Sequence, residues 1–218
     1  MKYGCNPSKL DGTEIIVDEV LESMNIPKRY SYSEYLPDVY DQGNSSTCVP
    51  HSISAFVDWY NGINGINKDM SIDWIYDCRE NKDEDGMSLK EALKYIRKVG
   101  YITKQEYKNI QKGKIETSES ELERINMYGM LKSVYAMQRS LLINGPFVLA
   151  LPVYDSSRND FWNGSDFEGG HAVACVGYDE YGFIIRNSWG STWGSGGYYT
   201  LPYEQINKMY EAWALIKY

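Results

Sequence analysis

The stretch Asp41-Gln42-Gly43-Asn44-Ser45-Ser46-Thr47-Cys48-Val49-Pro50-His51 predicts a turn that leads into a helix. Glycine, asparagine and serine favour turns, and Thr47 is of a type that caps helix N-termini. Pro50 is compatible with a first helical turn, because the amides there lack intrahelical partners. The apolar residues that follow recur with the period of one helix face: Val49, Ile53, Phe56, Val57 and Tyr60. Cys48 is therefore predicted to lie in the first turn of an amphipathic helix.

The position of Cys48 suggests a reactive thiol. Unpaired N–H groups and the positive end of the helix dipole favour a thiolate at a helix N-terminus. The alternative is a buried cysteine that acts as a small hydrophobic residue, which is the more common role of a lone cysteine. The choice depends on Gln42, six residues upstream, and on a histidine elsewhere in the chain.

The chain contains two histidines, His51 and His171. We expect His51 to have a packing role, because its direction is fixed by the helix that follows Cys48. His171 follows two glycines and begins a strand-like run, and Asn187 ends the next such run sixteen residues later. Two adjacent antiparallel strands would bring His171 and Asn187 together.

These residue types suit nucleophilic catalysis by a thiol. An imidazole can take the proton of Cys48 and hold the resulting charge, and an amide oxygen can orient the imidazole. A tetrahedral oxyanion needs two donors, for which the Cys48 N–H and the Gln42 side-chain amide are candidates. The indole of Trp189 can keep water away from the contact between His171 and Asn187.

At this point the chain resembles the papain-like cysteine peptidases, from about residue 36 to the C-terminus. The matching blocks are DQGNSSTC, GGHAVACVGY and RNSWGSTWGSGGYY. The compact bacterial and viral branch with a short N-terminal arm is the most similar. The resemblance implies a nucleophile, an acid/base, an orienting residue, an oxyanion donor and a shielding indole, which by position are Cys48, His171, Asn187, Gln42 and Trp189.

The resemblance also implies substrate-binding residues. Gly86 and Met87 would form a wall that pairs with a substrate backbone. Ala150 and Ala172 would line a pocket for an apolar side chain, although both alanines are equally well explained as sheet-core residues. Gly170 stands where relatives often carry Asp or Asn, a difference that would change the pH profile.

The order of the patterns indicates an α+β chain with a papain-like two-lobe fold, the site lying in the cleft between a helical lobe and an antiparallel β lobe. We expect an N-terminal arm over residues 1–30 and a peptidase domain over 31–218, with lobes at about 41–125 and 131–218. Residues 103–118 are expected to be a polar connector and 120–125 a short helix. A helix over 133–143 and five strands complete the prediction: 147–153, 171–178, 183–187, 197–201 and 212–218.

Composition limits the partners. The 218 residues are 43% hydrophobic, and a net charge of −8 argues against nucleic acid or an anionic membrane as the main partner. No apolar run is long enough to cross a membrane, and the first twenty residues do not resemble a secretory signal. The four cysteines lack metal-type spacing, so we expect no metal or cofactor and a reducing setting, cytoplasmic or inside a virus-infected host cell.

The sequence predicts a monomer that hydrolyses internal bonds of peptides or proteins through a thioester. One alternative is a catalytically weak relative that binds peptides or a protein partner in the same cleft. Another is a transamidase or isopeptidase, since the same thioester serves those reactions. The arm is shorter than the family's usual inhibitory prodomain. We expect it either to approach its own cleft as a restraint or to brace the β lobe.

Overall fold

Helices dominate the first half of the chain in the computed structural model, which describes residues 3–19, 24–113, 122–154, 161 and 166–217. Four α-helices precede residue 112: α1 (Cys48–Ile63), α2 (Ile72–Asp77), α3 (Leu89–Lys98) and α4 (Lys104–Gln111). The first of them is buried over most of its length, apart from its exposed C-terminal end, and forms the centre of the helical lobe. Short 3-10 turns occupy Val17–Glu19, Ser33–Tyr35 and Tyr203–Lys208.

Capping explains where two of these helices begin. The Ser88 hydroxyl accepts the Glu91 N–H while the Glu91 carboxylate bonds back, so the capping box predicted for α3 is confirmed. The expectation of a connector over 103–118 was wrong over Lys104–Gln111, and residues 114–118 lie outside the described part of the chain. Thr103 and Glu106 form a second complete capping box, and it begins α4. The polar composition of this helix concealed it, because none of its residues is buried.

The rest of the chain builds an antiparallel sheet and one helix, α5 (Val134–Asn144). The sheet contains seven strands: β1 (Tyr30–Ser31), β2 (Met127–Met130), β3 (Phe147–Val153), β4 (Gly169–Tyr178), β5 (Gly182–Arg186), β6 (Tyr198–Pro202) and β7 (Glu211–Ile216). Their order is β2-β7-β3-β4-β5-β6, with β1 also paired to β4. The predicted α+β, papain-like fold is confirmed, including the five strands to within two residues at each end.

The short strands β1 and β2 were not predicted. One further expectation was wrong: residues 122–125 do not form a helix, because Glu123 pairs with Tyr101 in an isolated antiparallel bridge. Residues 120 and 121, the start of that expected helix, lie outside the described residues.

The sheet positions the site by packing its central strand on the first helix. Strand β4 lies between β3 and β5 and packs against α1. Every residue of β3 is buried, as is β4 from His171 onward. The start of α1 and the start of β4 are therefore held together by the largest core cluster of the described residues.

The N-terminal arm runs along the surface in two contacting parts. Near its start, Cys5 pairs in parallel with Met87. Further on, Val17 is buried and Ile16 pairs with Met130 at the end of β2. Asp18 then accepts the Lys132 N–H.

Candidate active site

Cys48 is the first residue of α1 and is fully buried. The backbone N–H groups of Ala172 and Gly4 are directed at its sulfur, as are those of Val49 and Cys48 itself. The Ala172 contact places the sulfur beside the start of β4, next to His171. Thr47 is at the N-cap position, but its hydroxyl bonds to Ser45 instead of capping the helix.

The sequence predicted a lowered pKa for Cys48, and in this arrangement the opposite holds. Burial raises the pKa of the thiol to about 11, and the N–H groups of Ala172 and Gly4 only partly oppose that effect. The helix terminus does supply donors, but removal of the sulfur from water outweighs them. The thiol is therefore neutral in the arrangement that the structure describes.

His171 and Asn187 meet through the pairing of β4 with β5. Arg186 lies opposite Ala174, so Asn187, just past the end of β5, reaches the start of β4. His171 Nε2 and Asn187 Oδ1 are 2.8 Å apart, and both side chains are buried. The predicted proximity of these two residues is therefore present.

The backbone of Ser188 determines which ring nitrogen of His171 carries a proton. The Ser188 N–H, which can only donate, lies 2.8 Å from the same Asn187 oxygen. That atom must be the amide oxygen, which can only accept, so His171 Nε2 must be the donor. In the neutral ring Nδ1 is then unprotonated, and Nδ1 is buried with no hydrogen-bond partner among the described residues.

Aromatic rings enclose the imidazole. Trp189 stacks on His171 with ring centroids 4.4 Å apart and an interplanar angle of 23°. Phe161, fully buried, contacts both rings at about 6 Å. Burial lowers the pKa of His171 to about 4, although the Asn187 hydrogen bond acts in the opposite direction.

Gln42 is held across the cleft by Ser188. The Gln42 N–H donates to the Ser188 carbonyl at 2.8 Å, and the Ser188 hydroxyl donates to Gln42 Oε1 at 2.6 Å. Gln42 Nε2 donates to the Ser45 carbonyl, three residues before Cys48. The amide nitrogen therefore faces the segment that leads into α1.

Comparison with known proteins identifies the family. A profile described as papain family cysteine protease matches residues 25–213. The chain belongs to the papain family of cysteine proteases. The predicted papain-like family is therefore confirmed.

Individual papain-family relatives are moderately similar. An uncharacterized peptidase C1-like protein of Acanthamoeba polyphaga mimivirus is 31% identical over 66% of this chain and 46% of its own length. A KDEL-tailed cysteine endopeptidase of Arabidopsis thaliana is 31% identical over 77% of this chain and 51% of its own. The chain thus spans about half the length of these curated relatives.

A bacterial papain-family structure has the same fold. Xylellain, a cysteine protease from Xylella fastidiosa, superposes with a TM-score of 0.77 at 24% identity, covering 99% of this chain and 96% of its own. At that identity the likeness describes the fold.

The arm contacts several residues that papain-family resemblance assigned to substrate binding. The Met87 N–H donates to the Gly4 carbonyl at 2.9 Å, and the Asn6 N–H donates to the Met87 carbonyl at 3.1 Å. The Cys5 N–H donates to the Gly170 carbonyl at 3.0 Å. Tyr3 lies with its ring edge-on to His171 and Trp189.

The two predicted pocket alanines, Ala150 and Ala172, are cross-strand neighbours and are both fully buried. Ala150 also pairs with Glu211, a buried carboxylate that the sequence analysis did not single out. Glu211 accepts the Ser8 N–H of the arm at 3.0 Å and the Trp213 indole N–H at 2.7 Å. In the sequence, the only indication that Glu211 would be buried was its position at the start of an apolar strand.

Other candidates lie outside this arrangement. His51 has the packing role expected for it, with Nδ1 2.8 Å from the Thr47 carbonyl and its ring against Tyr40. Among the described residues, no three His, Cys, Asp or Glu side chains are grouped as metal ligands would be. Within the same part of the chain, no helix combines the length and apolarity that a membrane crossing requires.

Proposed function

We propose that the protein is a cysteine endopeptidase that uses Cys48, His171, Asn187 and Gln42. The observation that carries this proposal is the 2.8 Å bond between His171 Nε2 and Asn187 Oδ1, which leaves Nδ1 unprotonated and without a hydrogen-bond partner among the described residues. The next residue, Ala172, has its N–H directed at the Cys48 sulfur. Nδ1 is suited to take the thiol proton, and Asn187 is suited to hold the ring in that tautomer.

The proposed reaction has two halves. The Cys48 sulfur attacks the scissile carbonyl carbon as its proton moves to His171, and the imidazolium then gives that proton to the leaving amine. A thioester remains, and water, deprotonated by His171, attacks it to release the acid and the thiol. The Cys48 N–H and the Gln42 amide are the proposed donors to the oxyanion in both halves.

The alternative activities use the same cleft. A peptide-binding relative would need neither the defined histidine tautomer nor the bonded Gln42 amide. The presence of Cys48, His171, Asn187 and Gln42 together therefore favours catalysis. Transamidation and isopeptide cleavage share the thioester and differ only in the acceptor or in the amide attacked. Product analysis with added amines distinguishes them from hydrolysis.

Replacement of Cys48 tests the proposal directly. Cys48→Ala should lower kcat/KM for peptide hydrolysis by several orders of magnitude at an unchanged Tm, because no other thiol contacts the Ala172 amide in this way. Cys78→Ala is the matched control, since Cys78 is a partly exposed thiol bonded to Tyr95 and should be dispensable. Equal hydrolysis by Cys48→Ala and the parent would refute the mechanism.

We propose further that peptide substrates bind along Gly86, Met87, Gly170 and Trp189, and that residues 3–6 of the arm compete with them. The support is that the arm already bonds to Met87 and Gly170 and places the Gly4 N–H on the Cys48 sulfur. In this arrangement the arm presents the Gly4 N–H to the sulfur. The arm would thus restrain the enzyme without being its substrate.

Two glycines make this approach possible. A Cβ at Gly4 would lie 2.0 Å from the Ser46 carbonyl oxygen, and one at Gly170 would lie 2.1 Å from the Cys5 carbonyl oxygen. Both obstacles are backbone atoms that cannot rotate away. Gly170, which replaces the Asp or Asn frequent in relatives, is thereby suited to admit the arm.

The variant Gly4→Ala distinguishes an arm that restrains the active site from an arm that only braces the β lobe. The added Cβ should displace residues 3–6 while leaving the Val17 contacts intact, so apparent KM for a small peptide should fall several-fold at constant kcat. Lys9→Ala, an exposed change in the same arm, is the control. An unchanged KM together with unchanged iodoacetamide reactivity of Cys48 would exclude restraint, without affecting the test of Cys48 itself.

We also propose that the protein works in a reducing compartment. Cys5, Cys48, Cys78 and Cys175 are all free thiols in the structure. Intact-mass analysis of protein purified without reductant should find four alkylatable thiols. A disulfide between Cys78 and another cysteine would argue for an oxidising compartment instead.

A further inference from the structure

Tyr3, near the start of the arm, fills a site beside the proposed catalytic histidine. Its ring lies edge-on to the His171 ring at 6.3 Å and to the Trp189 ring at 6.1 Å, measured between ring centroids. Its hydroxyl donates a hydrogen bond to the Glu168 carboxylate. Two rings and one carboxylate therefore hold a single tyrosine side chain, and Glu168 has no part in the proposed reaction.

The backbone at the start of β4 shapes this site. The Glu168 N–H donates to the Val153 carbonyl at 2.8 Å, which fixes Glu168 at the end of the β3–β4 ladder. The last pair of that ladder is Val153 with Gly169. A Cβ at Gly169 would lie 2.6 Å from the Tyr3 Cβ and 2.9 Å from two of its ring carbons. A glycine thus leaves room for the ring, and the residue before it supplies the acceptor for the hydroxyl.

The path of the arm indicates which part of a substrate would reach this site. The arm passes the Cys48 sulfur at Gly4, whose N–H is directed at it, and the chain then bonds to Met87. Tyr3 lies on the other side of the sulfur, against His171, which gives a proton to the leaving amine in the proposed reaction. The residue that follows the scissile bond carries that amine, so its side chain would enter the site that Tyr3 fills.

We propose that this site selects tyrosine as the residue after the scissile bond, with Glu168 accepting the hydroxyl of its side chain. This inference rests on the proposed peptidase function and names a substrate class for it. An aromatic ring gains from edge-on contacts with two other rings, and a phenol hydroxyl gains a hydrogen bond to a carboxylate. Tyr3 already makes both kinds of contact. Arginine could also bond to Glu168, so it is one of the alternatives in the test.

Peptides that differ only after the scissile bond test this selectivity. One peptide that the 218-residue chain cleaves, with its cleaved bond mapped by mass spectrometry, would be made with tyrosine, phenylalanine, alanine or arginine at that position. We expect kcat/KM for the tyrosine peptide to exceed that for the phenylalanine peptide about five- to tenfold, the effect of one hydrogen bond at an exposed carboxylate. The ratio does not depend on the arm, because Tyr3 would exclude both peptides from the same fraction of the enzyme.

Replacement of Glu168 tests the assignment of the acceptor. Glu168→Ala should lower the ratio of the tyrosine to the phenylalanine peptide to about one, because the hydroxyl then has no carboxylate to bond. Glu168→Gln keeps an accepting oxygen without the charge and should retain part of the ratio. Asp166→Ala is the matched control, since it removes another exposed carboxylate two residues away and should keep the parental ratio.

Each other outcome contradicts the inference in a recognisable way. A parental ratio near one, or equal ratios for the parent and Glu168→Ala, would overturn the tyrosine site while leaving the peptidase proposal intact. Faster cleavage of the arginine peptide than of the tyrosine peptide would also overturn it, because Glu168 would then bind a basic side chain. A chain that cleaves no peptide of a library would refute the proposed function and, with it, this inference. If Glu168→Ala does not fold, the parental ratio compared with that of Glu168→Gln decides.

Discussion

The proposed catalytic centre and the N-terminal arm meet near Cys48, yet they are built in different ways. The centre consists of side chains with defined donors and acceptors, such as the His171–Asn187 bond at 2.8 Å. The arm contacts the same place almost entirely through backbone groups, with Gly4 and Cys5 bonded to Met87 and Gly170. The proposed centre therefore depends on side-chain donors and acceptors. The contact made by the arm depends on glycines, which have no side chain.

This difference explains what the sequence could predict. Cysteine, histidine, asparagine and glutamine at recognisable spacing indicate their chemistry through residue type and order alone. A glycine indicates only conformational freedom or a lack of space for a side chain. Gly170 accepts the Cys5 N–H, and the Cys5 carbonyl oxygen fills the space that a Cβ at Gly170 would need, although Cys5 is far away in the sequence. Such a contact leaves no periodic or local signal, so the arm could be suspected but not placed.

The largest expected effect concerns the two histidines. His171→Ala should lower kcat/KM nearly as much as loss of Cys48, because only His171 is bonded to Asn187 and stacked on Trp189. His51→Ala should be mild, since its ring bonds the Thr47 carbonyl instead. Steady-state kinetics of both variants would check the assignment.

A double variant sharpens this prediction. Residues that act as a unit give non-additive losses, so Cys48→Ala/His171→Ala should be little worse than either single change. Full additivity, or a larger loss for His51→Ala than for His171→Ala, would place the base elsewhere.

The next largest effect is expected at Gln42. Gln42→Ala should lower kcat roughly 10²-fold, the cost typical of one oxyanion donor, with KM nearly unchanged. Asp41→Ala is a neighbouring control, because that side chain bonds the Gly43 N–H on the exposed side of the turn. A Gln42 effect that falls mainly on KM would make it a substrate-positioning residue.

The fold also contains some elements that the sequence predicts and others that it does not. Helix α1, the capping box at Ser88 and the strand Phe147–Val153 were predicted because apolar periodicity and capping residues mark them locally. Helix α4 was missed although Thr103 and Glu106 form the same motif, since it buries no residue and so shows no apolar face. The raised pKa of Cys48 was unpredictable for another reason: it depends on burial by elements distant in sequence.

A smaller effect is expected from the ion pairs that hold the arm further along. Lys90, near the start of α3, contacts Glu14 at 2.5 Å and Asp11 at 3.2 Å. The Lys90 and Glu14 side chains are largely covered and Asp11 is exposed. Ion pairs at a protein surface contribute little, so Lys90→Met should lower apparent KM by about two- to fivefold at constant kcat. Lys94→Met, in the same helix, is the control for loss of one positive charge, and equal effects of both changes would contradict a specific anchor.

The pH dependence of the Lys90–Glu14 ion pair follows from the directions of the two pKa shifts. The Lys90 hydrogen bond lowers the pKa of Glu14, so its stabilising contribution is complete above the ordinary carboxyl range and is lost as pH falls through the lowered pKa. The pKa of Lys90 is raised, first by Glu14, so its contribution is lost only at high pH. The KM ratio of parent to Lys90→Met should therefore approach one in acid, and a ratio that grows in acid would reverse this assignment.

Competitive alkylation of the cysteines tests the central claim most directly. Parent and Gly4→Ala proteins would be treated with a limiting peptidyl epoxide, and adducts would be assigned by peptide mass spectrometry. We expect Cys48 to react before the partly exposed Cys78 once the arm is displaced, and more slowly in the parent, where burial keeps its pKa at about 11. Alkylation of Cys78 ahead of Cys48 in both proteins would contradict an activated Cys48 under a restraining arm.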